Sequence, residues 1–327
     1  MTLNRCASWI TGMLMVSLLI ASSVSHSAES ISNIPGAFAD IGLGAVRSGM
    51  GGSLIVLGRD VYAIMDNPAG TVSILSPQLA FSTTKPYALI PYNVLLYGQK
   101  LGKKNSLGTG FITSGDEALR ENSIILNYAR ILPFYSMSVG VNLKFRHASF
   151  SNNSDGKWIF NNADRQVTGN ATGVGLDIGV RGKLGKRMAY AVVLKDLFES
   201  ISYNASNAAQ TAKGGSESVP STMVLGIGYV AAKNLAFELD LNKALYREVN
   251  DRVTFGAEQW LFSMVALRAG LSQNINADEI NRQYALGCGV ATEFSRMHVG
   301  IALDFAYLIN EFHDFYHAGL KLSWGSN

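Results

Sequence analysis

Apolar and polar positions along this chain alternate with a period of two over most of its length. The clearest run is Leu235, Phe237, Leu239 and Leu241, interleaved with Ala236, Glu238, Asp240 and Asn242. Successive strand residues point to opposite faces, so the run has one apolar face and one face rich in carboxylates. Met137, Val139, Val141, Leu143 and Phe145 alternate likewise with Ser138, Gly140, Asn142, Lys144 and Arg146. So do Val174–Val180 against Gly175, Asp177, Gly179 and Arg181, and Val299–Phe305 against Gly300, Ala302, Asp304 and Ala306. About fourteen runs of about ten residues can be placed, the length a tilted strand needs to cross the apolar layer of a bilayer.

The connections supply an independent test. Short GKKN, ILPF, KLGKR, AAKN, LFS and EFSR alternate with longer KPYALIP, TSGDEALREN, 148–170, 196–220, KALYREVND, SQNINADEI and LINEFHDFY. No soluble sandwich requires that parity, whereas outer-membrane barrels have short periplasmic turns and longer outer loops. The pattern predicts an all-β fold, a transmembrane antiparallel β-barrel of about 14 strands spanning residues 75–327.

Two segments precede it. Arg5 followed by the apolar run Ile10–Val24 and small residues to Ala28 reads as a secretory signal peptide over residues 1–28, with cleavage after Ala28 or nearer Ser25. Residues 29–74 change grammar: Gly42, Gly44, Gly49, Gly51 and Gly52 crowd together ahead of Asp66-Asn67-Pro68-Ala69-Gly70. A fourteen-strand ring is wider than the eight strands whose side chains fill their own lumen, so this segment is expected inside it as a hatch. Asp60 is a candidate N-cap for a helical turn through Ala63 and Met65 that Pro68 ends.

Composition narrows the class. Of 327 residues, 48% are hydrophobic and only 16% charged, below the roughly 25% of ordinary soluble domains, and the net charge is +3 without a basic stripe. Nucleic acid is not an expected partner. With Cys6 in the leader, Cys288 is the remaining thiol and no internal disulfide is expected.

The Gly42–Gly70 stretch, with its GMGG at Gly49–Gly52 and DNPAG at Asp66–Gly70, resembles the PorV/PorQ-like branch of the FadL outer-membrane transporter superfamily. VPSTMVLGIGYVAAKNLAFELDLNKAL and FGAEQWLFSMVALRAGL resemble it too, so the likeness covers nearly all of the chain after the leader. The resemblance implies a fourteen-stranded barrel with an N-terminal hatch in the bacterial outer membrane. It also implies transport of long-chain fatty acids or other hydrophobic small molecules, or a PorV-like scaffold role with secretion machinery and cargo proteins. The end of the chain departs from the pattern: Trp324 stands where a terminal Phe is usual, and three residues follow it.

Candidate chemistry follows from these placements. Asn67, Pro68, Ala69 and Gly70, with Gly49, Gly51 and Gly52, are candidate gating residues; the plainer reading is a rigid turn that launches the first strand. Lys144, Arg146, Asp177, Arg181, Glu238, Asp240, Glu258, Arg268, Asp304 and Lys321 are expected in the lumen. There they line a polar path or, the reading favoured here, pair with one another and with the hatch. His313, Asp314 and His317 are expected in an outer loop; with no third ligand and no nucleophile beside them they support neither a metal site nor catalysis. No enzyme activity, metal or cofactor is expected. Phe312, Phe315, Tyr316 and Trp324 are expected in an interfacial aromatic girdle.

Overall fold

The computed structural model describes residues 42–86, 89–116, 119–133, 136–150, 167–207, 212–245, 250–275, 281–294, 296–311 and 313–325. The signal-peptide reading, the first part of the hatch segment (29–41) and Phe312 fall outside them. Among the described residues no helix is long and apolar enough to cross a membrane.

Fifteen strand segments form one antiparallel sheet: β1 (Gln78–Thr84), β2 (Tyr92–Leu101), β3 (Asn105–Gly115), β4 (Leu119–Ile131), β5 (Met137–Phe150), β6 (Val167–Leu184), β7 (Met188–Asn207), β8 (Ala212–Ser218), β9 (Thr222–Ala232), β10 (Leu235–Ala244), β11 (Asp251–Leu261), β12 (Val265–Ile275), β13 (Arg282–Phe294), β14 (Val299–Asn310) and β15 (Phe315–Trp324). Sequence neighbours pair throughout, except that β8 and β9 both pair with β7; β1 pairs with β15, and the ring is closed. β8 lies on the far half of β7 (Ser200↔Ser218) and β9 on its near half (Lys195↔Thr222). They are two pieces of one strand interrupted around Pro220, which has no N–H to give a ladder, so the barrel counts fourteen strands. The stretch 196–220, expected to be a loop, is therefore mostly wall: cross-strand pairing continues β7 to Asn207 and adds β8.

The outward rows are apolar and exposed, as in Leu239 and Leu241 of β10, Leu126 and Tyr128 of β4, and Leu303, Phe305 and Tyr307 of β14. A soluble monomer does not tolerate so continuous an apolar exterior, and lipid is the solvent that suits it. The buried core lies inside the ring. There residues 42–74 fold as two short helices, α1 (Ala45–Gly49) and α2 (Ala63–Asp66), and a 3-10 segment at Pro68–Ser73. Val61, Ile64 and Ile74 pack on Val94, Leu96 and Ile125 of the wall, and Ile55 and Val56 pack on Ala191, Val193 and Val224. Each such side chain contributes about 1.5–3 kcal/mol on burial.

The structure shifts the expected helical turn slightly. Tyr62 takes the N-cap position of α2, and the Asp60 carboxylate accepts from the Tyr62 N–H at 3.0 Å. Pro68 opens the 3-10 segment, where its missing N–H costs nothing. His317 and Phe315, expected in the outer loop and girdle, instead belong to β15 and point inward, buried at 0% and 8% exposure. They are pulled in because β15 pairs with β14 over Leu308↔Phe315 and Ala306↔His317.

Candidate functional site: the seat of the hatch

The hatch rests on glycines of the wall. Gly140 and Gly179 are register partners on β5 and β6, and together they make a recess for Asn67-Pro68-Ala69. A methyl group at Gly140 would overlap the Pro68 carbonyl carbon and the Ala69 nitrogen; at Gly179 it would overlap the Asn67 side chain. A second pair, Gly256 and Gly270 on β11 and β12, receives Met50 and Gly51, and a Cβ on Gly256 would lie 2.6 Å from the Met50 oxygen. Gly49 sits on Gly287 in the same manner. These inward-row glycines thus have a specific cause: at Gly140, Gly256, Gly270 and Gly287 backbone lies on backbone, and at Gly98, Gly108, Gly226 and Gly228 hatch side chains such as Ile74, Ile64, Ile55 and Val56 take the space of a Cβ.

Asn67 ties the recess together. Its Nδ2 donates to the Ile55 carbonyl at 2.9 Å and to Val180 O at 3.4 Å, and its Oδ1 accepts from the Ala69 N–H at 3.0 Å. The Asn67 carbonyl accepts from Gly70 N–H at 2.8 Å. Ala69 O receives the Ser138 hydroxyl at 3.0 Å. Further round the wall, Glu238 accepts from the backbone N–H groups of Val56 and Leu57 at 2.7 and 2.8 Å. Arg181 donates to Gly58 O at 2.8 Å, and Lys321 pairs with Asp60. Burial pushes the Tyr62 hydroxyl far above its usual range, with the nearby carboxylates of Asp60 and Asp304 adding to the shift.

A continuous polar chain links the 3-10 segment to a defect in the wall. The Thr71 hydroxyl lies 2.9 Å from Asn127 Oδ1 and from Ser106 Oγ. Asn127 donates to Asn142 Oδ1 at 2.8 Å, and Asn142 donates to Asp177 at 3.0 Å and to Ile64 O at 2.8 Å. Lys144 bridges Asp177 and Asp196 at 2.7 Å each, and Arg146 reaches Asp196 at 2.7 Å. Asp196 arrives there through a bulge: Leu194 faces Ile178 and Leu197 faces Leu176, so two consecutive residues, Lys195 and Asp196, turn inward. The bulge holds Asp196 at φ +56°, and Lys195 donates to Met65 O at 3.1 Å.

All ten charges expected in the lumen lie on inward rows. Lys144, Arg146 and Asp177 form the network just described, and Arg268 joins Glu258 and Asp304 at 2.7 Å each. Glu238, Arg181 and Lys321 bind the hatch, while Asp240 is buried opposite Thr254 beside Gly226. Asn127, Asn142, Thr71, Lys195 and Asp196 were not singled out from the sequence. Asn142 stood on an inward row, but nothing local separates a network asparagine from any other polar residue, and Asp196 was hidden in the expected loop.

Two cavities flank the hatch and share no lining residue. One, of about 930 Å³, opens toward the tight turns and is lined by Arg59, Asp60, Trp260, Arg268, Asp304 and Lys321 among others. The other, about 70 Å³, lies toward the long loops. Leu43, Ile64, Met65, Tyr92, Ile112 and Ile125 give it an apolar side; Glu121, Lys144, Arg146 and Lys195 give it a charged one. A cavity of about 150 Å³ accommodates benzene, so the smaller space is too tight for a ring as it stands. Among the described residues no cluster of His, Cys, Asp or Glu suits a metal ion. His313 and Asp314 sit on the exposed tip before β15, where the Tyr307 hydroxyl donates to Asp314 and holds its carboxyl below the usual range.

No protein-family model matches the chain, and no curated protein matches it. Solved structures do. The CymD monoaromatic hydrocarbon channel superposes with a TM-score of 0.62 at 15% identity, covering 88% of this chain and 98% of its own. The Pseudomonas putida toluene transporter TodX gives 0.60 at 12% identity over 87% and 98%, and a Pseudomonas aeruginosa FadL homologue 0.57 at 12% over 86% and 97%. In fold, the chain is a fourteen-strand barrel with residues 42–74 inside the ring, and it shares its overall fold with these solved structures.

Proposed function

We propose that this protein is a bacterial outer-membrane channel that carries hydrophobic small molecules, such as long-chain fatty acids or aromatic hydrocarbons, past a hatch. One observation carries the reading: residues 42–74 lie inside the ring between an amphipathic pocket on the long-loop side and an open vestibule on the tight-turn side, which share no lining residue. An apolar molecule captured outside meets Leu43, Ile64 and Met65 of the hatch first. Displacing them costs the contacts at Asn67 and the polar chain through Thr71, which are local and re-formable. The wall, held by cross-strand ladders, stays intact. Solved structures of the same fold, a monoaromatic hydrocarbon channel and a toluene transporter, support the substrate class. Uptake into proteoliposomes or intact cells of a labelled long-chain fatty acid and of labelled toluene tests it; no uptake and no binding of either compound would overturn it.

The finer assignment, to the PorV/PorQ-like branch, rests on the GMGG and DNPAG elements. It carries the alternative role of a secretion scaffold. Co-purification with secretion components from outer membranes, together with absent uptake, would favour that alternative.

A further inference from the structure

Seven strands run toward the tight turns: β2, β4, β6, the β8–β9 pair, β11, β13 and β15. On five of them the outward apolar row is followed two residues later by an exposed cation. Leu101 is followed by Lys103, Tyr128 by Arg130, Leu184 by Lys186, Ala231 (after Ile227 and Tyr229) by Lys233, which also borders the mouth of the vestibule, and Phe294 by Arg296. The other two end in exposed aromatic residues, Phe262 just past β11 and Trp324 on β15. Among the described residues none of the five cations has an acidic partner, and Glu293 is the one exposed acid on the strand ends and turns at this side. At the long-loop end the exposed cations Lys85, Arg120, Arg252 and Arg282 are mixed with Asp116, Glu311 and Asp314.

We propose that this end is a headgroup-binding girdle, in which Lys103, Arg130, Lys186, Lys233 and Arg296 hold the phosphates of anionic glycerophospholipids in the leaflet beside the tight turns. The dimensions agree. Two residues of strand rise about 7 Å, or about 5 Å along the membrane normal at a tilt near 40°. The headgroup layer is about 5–8 Å thick. Arg130 stands on β4 one outward step past Tyr128, and Lys103, Lys186, Lys233 and Arg296 stand in the turns, no more than that rise past the last apolar side chain, so all five fall at the depth of the phosphates, where a long stem can lie along the acyl boundary. Phe262 and Trp324 fill the same level on the remaining strands, where aromatic rings are at home. An exposed or half-buried apolar side chain two residues before each cation selects a lipid over a free anion, and the spread of the cations over five strand ends selects a surface over a single acidic protein face. The proposal does not depend on what the channel carries, so it survives or fails separately from the uptake experiment.

The test titrates the purified barrel in neutral detergent with phosphatidylglycerol or phosphatidylcholine of identical chains and reads bound lipid by native mass spectrometry. Each cation beside anionic lipid is expected to favour phosphatidylglycerol about fivefold. The preference should vanish in the variant K103Q/R130Q/K186Q/K233Q/R296Q and persist in K85Q/R120Q/R252Q/R282Q. Unheated gel migration shows whether both variants remain folded barrels. Equal binding of the two lipids by the parent protein, or a preference that survives the first variant, would overturn the proposal. Displacement of the lipid by millimolar inorganic phosphate at constant ionic strength would reassign the cations to a free-anion site, and equally ready displacement by polyglutamate would reassign them to an acidic protein.

Discussion

Replacing Asn67 by Ala separates the hatch from the wall most cleanly. Asn67 is 1% exposed and makes two short side-chain bonds, to Ile55 O and from Ala69 N–H, plus a longer one to Val180 O. Truncation leaves the Ile55 carbonyl and the Ala69 N–H buried without these partners, at about 1–3 kcal/mol for each group. A loss of about 2–6 kcal/mol for the two groups shifts the balance between seated and displaced hatch by about 30-fold or more. None of these bonds belongs to a strand ladder, so the wall should keep its stability. In planar bilayers the variant should show a marked rise in open-channel ion conductance, while the temperature at which the barrel loses its compact migration on unheated gels stays within a few degrees of the parent. Asn67→Asp, which turns a carboxylate oxygen toward the Ile55 and Val180 carbonyls in a buried site, should loosen the hatch at least as much. Unchanged conductance, or a barrel that unfolds as readily as its hatch leaves, would refute the argument.

Other expected outcomes follow from the same geometry. Gly179→Ala places a methyl on the Asn67 side chain and should raise conductance much as Asn67→Ala does, since the recess has no spare volume. Asp196→Asn removes the carboxylate that Lys144 and Arg146 share, and breaking a buried pair costs about 3–5 kcal/mol, so thermal unfolding followed by circular dichroism should move down and added salt should not restore it. Leu239→Arg, on the outward row near the middle of β10, should lower folding stability in lipid vesicles by about 2–4 kcal/mol in denaturant titrations. For Tyr62, whose folded pKa is raised, the contribution to stability is complete below the unfolded value near 10 and declines as pH rises above it. The tyrosinate absorbance difference between the parent and Tyr62→Phe should accordingly be absent at pH values just above 10 while the protein is folded, and appear on unfolding.

What the sequence determined by itself was the wall. Alternation is a property of adjacent residues, so Leu235–Leu241 against Glu238 and Asp240, or Met137–Phe145 against Lys144 and Arg146, stated which side chains face lipid and which face the lumen before any partner strand was known. The alternation of tight and long connections is equally local, and with it came the strand number and the sidedness. The tertiary structure decided everything that depends on residues far apart in the chain. Pairing of β7 with two different segments turned the expected loop at 196–220 into a broken strand, and a single bulge brought Asp196 to Lys144 and Arg146. Inward pairing took His317 and Phe315 out of the loop and girdle where local pattern had put them. Above all, the glycines of the inward rows carried no meaning until Asn67 and Pro68 were seen lying on Gly140 and Gly179, about seventy and one hundred and ten residues away. A missing side chain records only that something comes close; what comes close is fixed when the ring shuts around the hatch.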